Sequence, residues 1–143
     1  KVYLFELAKR LNLPVPPTVV VDSAKPDEII AELGLPCVLK QPDSAFSEGV
    51  FRAATRDELA SGLQKLLARS DLAVVQSFLP TEFDWRIGVL DRKPLYACRY
   101  FMARGHWQIY HHGAKRAKEG DSETLPVEHA PSELCAEFGI QRI

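Results

Sequence analysis

Lys40 stands at the exit of a short apolar run, Leu35-Pro36-Cys37-Val38-Leu39-Lys40-Gln41-Pro42. A loop rich in small residues follows it, Asp43-Ser44-Ala45-Phe46-Ser47-Glu48-Gly49-Val50. An ammonium group at the end of a strand is costly to bury alone and calls for an anionic partner. A loop of small residues beside it can turn backbone N–H groups toward phosphate oxygens. Lysine and loop together read as a nucleotide phosphate site. The same local pattern also fits a solvated lysine before an ordinary turn, so the choice rests on what surrounds it.

A second set of candidates lies further along the chain. Asp84 and Arg86 are two apart in an alternating stretch, so their side chains share one face of a strand. Arg99 falls on the following strand and is expected to join them. One carboxylate with two guanidinium groups can hold a polyanion, because arginine binds phosphate or carboxylate through two parallel hydrogen bonds. A cross-strand salt bridge is the competing reading. Gln76-Ser77-Phe78-Leu79 ends one apolar strand just before this stretch. A chain crossing there exposes backbone N–H and C=O groups to an adenine edge, and Phe78 can line the pocket. Tyr96, Tyr100, Trp107 and Tyr110 read as packing residues. His111 and His112, adjacent on a strand, point to opposite faces and do not chelate one ion.

These residues need a scaffold, and the composition supplies one. The chain has 143 residues, 46% of them apolar and 26% charged, which is globular composition of a size to bury one core. A net charge of −1 argues against an electrostatic surface for nucleic acid or membrane. No apolar run reaches the roughly 20 residues that a membrane span needs, and no signal peptide is visible. The three cysteines, Cys37, Cys98 and Cys135, are scattered and odd in number, which fits reduced thiols in the cytoplasm.

The positioning elements follow from periodicity. Residues 2–12 read as a helix with Leu4, Leu7 and Leu11 on one face, stopped by Pro14, Pro16 and Pro17. Thr18–Val21 is β-branched and strand-like. Pro26 opens a helix that Gly34 stops. Cys37–Gln41 and Val50–Ala54 are strands around the loop. Thr55-Arg56-Asp57-Glu58 is a capping box, and Leu59, Leu63, Leu66 and Leu67 give the helix behind it an apolar stripe to about Arg69. Leu72–Leu79 is a strand. The order β-α-β-loop-β-α-β predicts an α+β fold, a small sheet with two helices on one face. Next comes an antiparallel segment, Phe83 to Ala103, around a turn at Asp91-Arg92-Lys93-Pro94. A third strand is expected over His106–His112. Gly113–Thr124 reads as a loop, and Ser132 caps a last short helix.

In register, these pieces resemble the ATP-grasp superfamily and, within it, the RimK-like carboxylate–amine ligases. The likeness runs over about residues 1–112. It is carried by an opening helix before Leu13-Pro14-Val15-Pro16-Pro17-Thr18, by Pro36-Cys37-Val38-Leu39-Lys40 and by Glu48-Gly49-Val50. Val74-Val75-Gln76-Ser77-Phe78-Leu79, Asp84-Trp85-Arg86 and the strand bearing Arg99 complete it. The resemblance implies a leading helix and linker over 1–17, a small ATP-grasp subdomain over 18–80, and the start of a large one over 81–143, the fold being incomplete. It implies that Lys40 contacts ATP phosphates and that Ser44, Ser47 and Gly49 belong to the loop over them. By the same likeness Gln76, Ser77, Phe78 and Leu79 meet adenine, Asp84 belongs to the ATP site, and Arg86 and Arg99 act near the reacting phosphate. Such enzymes make an acyl phosphate from a carboxylate and ATP, which an amine, an amino acid or peptide, then attacks.

Some positions depart from the family. Glu48 places negative charge in the loop, Ser77 stands where many relatives carry glutamate, and Gln108-Ile109-Tyr110 replaces an Arg-Ser-Asn run. The family's acidic-x-Asn magnesium motif is absent, since Asn12 is the one asparagine. Magnesium is therefore expected in a parent protein, with its ligands outside this chain. Two readings follow: a fragment of an ATP-dependent ligase, inactive alone, or a nucleotide-binding or interaction module without catalysis. Self-association through exposed apolar area stays open.

Overall fold

The computed structural model describes residues 1–44, 48–91, 93–111 and 118–125. The chain divides into two compact units, Lys1–Leu79 and Pro80–Ile143.

The first unit holds α1 (Val2–Arg10), β1 (Thr18–Val21), α2 (Pro26–Leu33), β2 (Cys37–Lys40), β3 (Val50–Ala53), α3 (Arg56–Leu67) and β4 (Ala73–Ser77). Its four strands lie in the order β1-β4-β2-β3, and every neighbouring pair is antiparallel. β4 thus inserts between β1 and β2, and β2 between β3 and β4. Each helix carries the chain across one intervening strand, giving two interleaved split β-α-β units.

The period-2 alternation of each strand separates the two faces of this sheet. Cys37, Leu39, Ala53, Ala73 and Val75 form one core with Ile29 of α2 and Leu59, Leu63 and Leu66 of α3. Val19, Val21, Ile30, Leu33 and Leu67 pack around it. Both helices therefore cover the same face, as expected from the sequence. Leu39, Leu59 and Leu63 are 0% exposed, and each such side chain contributes about 1.5–3 kcal/mol through burial. At Gly62 of α3 an added Cβ would lie 3.0 Å from the Leu39 side chain, so the missing side chain lets helix and sheet approach closely.

Local signals set the helix starts. Pro26 occupies the first turn of α2. Thr55 closes a reciprocal capping box with Glu58 at the start of α3. Arg56 forms a two-pronged pair with Asp27 at 2.7 Å for each hydrogen bond, tying the two helix starts together. The hydrogen bond to Arg56 holds the Asp27 carboxyl below its ordinary range. The apolar face expected on α1 exists but is not buried: Leu4, Leu7 and Leu11 are 66%, 38% and 59% exposed.

The second unit contains a hairpin of β5 (Phe83–Leu90) and β6 (Lys93–Phe101), with β9 (Ser122–Leu125) beside β6. β7 (Tyr110–His111) pairs with β8 (Lys118–Glu119). The hairpin matches expectation. The third strand does not: among the described residues of His106–His112 only Tyr110–His111 is in a strand, and Ser122–Leu125, within a stretch read mainly as loop, pairs with Ala97–Tyr100. Ser122–Leu125 carries one apolar residue, so backbone pairing and a cross-strand ion pair hold it rather than an apolar stripe. The helix expected at Ser132, residues 113–117 of the loop, and Cys135 lie outside the described residues.

Candidate functional site

Lys40 is the last residue of β2, and strand alternation places it on the face opposite the helices, with Val38. Val38 pairs with Gln76 of β4, and Gln76 pairs with Thr18 of β1. Register thus puts Val38, Gln76 and Thr18 in one row across three strands, with Lys40 on the same face, opposite Val74 and diagonal to Gln76. The Lys40 ammonium donates to Gln76 Oε1 at 2.6 Å. Gln76 Nε2 donates to Thr18 Oγ1 at 2.7 Å, and Thr18 Oγ1 donates to the Pro16 carbonyl at 2.7 Å. Arg52 of β3 pairs with Val38 and shares this face, its guanidinium 4.6 Å from the centre of the Phe78 ring. Lysine, arginine and an aromatic ring on one sheet face can meet an anion carrying a planar group.

The loop after Lys40 is closed by the Gln41 N–H donating to the Gly49 carbonyl at 2.9 Å. Gly49 has φ +61°, and a Cβ there would stand 2.9 Å from Gln41 Cβ, so glycine is required twice over. Ser44 Oγ donates to the Gln41 carbonyl at 3.1 Å and accepts from the Lys1 ammonium at 2.9 Å. That ammonium also donates to the Gln41 carbonyl at 2.9 Å and to the Ser44 carbonyl. Burial pushes the Lys1 ammonium below the usual lysine value, against the raising field of Asp43. Ser47, the other serine expected over the phosphates, lies outside the described residues.

The Gln76–Leu79 stretch is divided between the two faces. Gln76 and Phe78 belong with Lys40. Ser77 points the other way, its hydroxyl donating to the Leu33 carbonyl at 3.2 Å, where it closes the end of α2. The Ser77 and Phe78 N–H groups donate to the Pro17 and Pro36 carbonyls at 2.9 and 3.1 Å. The expectation that backbone N–H groups at these two residues stand open to an adenine edge is therefore corrected. They complete the ends of the sheet. Leu79 is exposed.

In the second unit, register separates the arginines. Asp84 pairs with Tyr100 and Arg86 with Cys98, whereas Arg99 pairs with Trp85 and Glu123. Asp84 and Arg86 do share a face, Arg86 lying 4.3 Å over the Tyr100 ring and Asp84 accepting from Thr81 Oγ1 at 3.3 Å. Arg99 faces the opposite side, 5.3 and 5.1 Å from the Phe83 and Trp85 rings and 3.6 Å from Glu123. The expected trio of Asp84, Arg86 and Arg99 does not form, because position 99 is opposite the odd-numbered residue between the other two.

Three contributors escaped the sequence reading: Thr18, Arg52 and Lys1. Alternation in Val50–Ala53 could have flagged Arg52. Nothing local points to Thr18, whose partner lies 58 residues away. Among the described residues, no group of three or more His, Cys, Asp or Glu side chains could hold a metal ion. They do not supply a magnesium ligand set. Among them, too, no helix is long and apolar enough to cross a membrane.

No family model matches the chain. It is similar to the D-alanine–D-alanine ligase of Haemophilus ducreyi, 31% identical over 104 residues that make up 71% of this chain and 34% of that one. The D-alanine–D-alanine ligase of a Synechococcus species is 28% identical over 135 residues, 91% of this chain and 41% of that one. The chain thus spans between about a third and two fifths of the length of these curated relatives. Among solved structures, D-alanyl-alanine synthetase A from Vibrio cholerae superposes with a TM-score of 0.65 over 97% of this chain and 45% of that one, at 16% identity. The ATP-grasp ligase PsnB complexed with minimal precursor gives 0.63 over 97% and 41%, at 20% identity. The scaffold that sets Lys40 beside Gln76 and the Gly49 loop is the ATP-grasp fold.

Proposed function

We propose that this chain carries the phosphate-binding side of an ATP-dependent ligase that joins a carboxylate to an amine. The observation that carries this is the Lys40 ammonium, set by Gln76 on the sheet face opposite the helices, beside the loop turned at Gly49. Lys40 meets the ATP phosphates, and Ser44, Ser47 and Gly49 fold over them. Phe78 with Gln76 and Leu79 borders the base. In this reading a carboxylate oxygen attacks the γ-phosphorus, the bond to ADP breaks, and the acyl phosphate forms. The amine then attacks the acyl carbon, phosphate leaves, and the nitrogen loses a proton. Cations near the transferred group offset the developing charge.

The relatives' name supports a free amino acid as one substrate, and motif order is the support for a RimK-like ligase. Both are proposals for a protein longer than this chain. The chain by itself is expected to bind nucleotide without sustained turnover.

Calorimetric titration with ATP, ADP and AMP tests the reading. Lys40→Ala removes a charge-assisted phosphate contact, which is worth about 1.5–3 kcal/mol, so ATP affinity should fall about 10- to 150-fold. AMP affinity should change less. Equal ATP affinity in Lys40→Ala and the parent chain would overturn the proposal.

A further inference from the structure

We propose that Thr18 and Gln76 are positioning residues that fix the Lys40 ammonium through a directed chain of hydrogen bonds anchored on the Pro16 carbonyl. The inference rests on the reading of Lys40 as a phosphate contact.

The anchor is rigid. Pro16 and Pro17 have their φ angles locked by their rings, and the Pro17 carbonyl is tied to β4 by the Ser77 N–H at 2.9 Å. The Pro16 carbonyl can only accept, so the Thr18 hydroxyl must donate to it, at 2.7 Å. With its proton committed, Thr18 Oγ1 presents a lone pair, which receives Gln76 Nε2 at 2.7 Å. That assignment decides which end of the amide faces which way. An amide with its nitrogen on Thr18 must turn its oxygen toward Lys40. Gln76 Oε1 then receives the ammonium at 2.6 Å. Reversing the amide would set an NH2 group against an ammonium and a carbonyl against a spent hydroxyl. A single hydroxyl on the edge strand therefore dictates, two hydrogen bonds away, the polarity of the group that holds the cation.

The consequence is preorganisation. A lysine side chain has large rotamer freedom, and ordering it on binding weakens affinity. Here part of that ordering is done before any ligand arrives. The Thr18 hydroxyl meets Gln76 and Gln76 meets the ammonium, so the hydroxyl acts on Lys40 through Gln76.

The test uses Thr18→Val, which keeps the branched shape and removes the hydroxyl, and Thr18→Ser, which restores it. Gln76→Met removes the middle member and serves if Thr18→Val does not fold. The first readout is the order of the Lys40 side chain, from heteronuclear relaxation at its Cε and Nζ nuclei without nucleotide. Order should fall in Thr18→Val and Gln76→Met and return in Thr18→Ser. The second is ATP affinity, which should weaken about 2- to 10-fold in Thr18→Val and recover in Thr18→Ser. Unchanged Lys40 order in both disrupted variants would overturn the positioning role, whatever the nucleotide data. A parent chain that binds no nucleotide, while Lys40 order still responds to Thr18, would instead overturn the phosphate reading and leave the relay standing.

Discussion

Replacing Gly49 with alanine tests how the loop beside Lys40 is held. Two separate costs arise from the structure. Gly49 has φ +61°, and an L-residue in the left-handed region costs about 1–2 kcal/mol. The new Cβ would also lie 2.9 Å from Gln41 Cβ. Gln41 Cβ is one bond from a backbone whose N–H donates to the Gly49 carbonyl at 2.9 Å, so it cannot swing aside. Overpacking of this kind costs about 1–3 kcal/mol. Together Gly49→Ala should destabilise by about 2–5 kcal/mol, read from urea denaturation followed by circular dichroism. Gly34→Ala is the control. Gly34 has φ +71°, and an added Cβ there meets nothing within 4 Å, so backbone strain acts alone at about 1–3 kcal/mol. The two costs at Gly49 separate in a double-mutant cycle with Gln41→Gly, which removes the opposing Cβ. The coupling should be about 1–3 kcal/mol in the direction that makes Gly49→Ala less harmful. A Gly49→Ala penalty under about 0.5 kcal/mol, or zero coupling with Gln41→Gly, would refute the reasoning.

Two further outcomes follow from single features. Thr55→Ala opens the capping box of α3, whose hydroxyl accepts from the Glu58 N–H at 3.3 Å, and should cost about 1 kcal/mol of stability with nucleotide affinity unchanged. Cys37 is fully buried, and burial pushes its thiol above the ordinary value of 9.0. The unfolded chain then loses this proton first, so stability should fall as pH rises from about 9 through the folded value. Cys37→Ala should flatten that alkaline slope, and an unchanged slope would contradict it.

The elements of the first unit were legible residue by residue, because each carried a local cause. Pro26 and Gly34 bounded α2, and Thr55 with Glu58 opened α3. The alternation of Cys37 and Leu39 with Val38 and Lys40 already implied that the lysine turns from the core. Each of those signals acts within a few residues, where periodicity and capping are decisive. Strand order and pairing came from long-range packing instead. Any of the other three apolar strands could have stood beside β2 on composition alone. Only the insertion of β4 between β1 and β2 sets Gln76 against both Lys40, 36 residues away, and Thr18, 58 away. The same limit explains Arg99. Its place on a strand was legible, but its face relative to Arg86 depended on how the hairpin paired, and a shift of one residue inverts every side chain. Ser122–Leu125 shows the extreme case: a polar strand with little pattern of its own becomes a strand because β6 offers it a backbone edge.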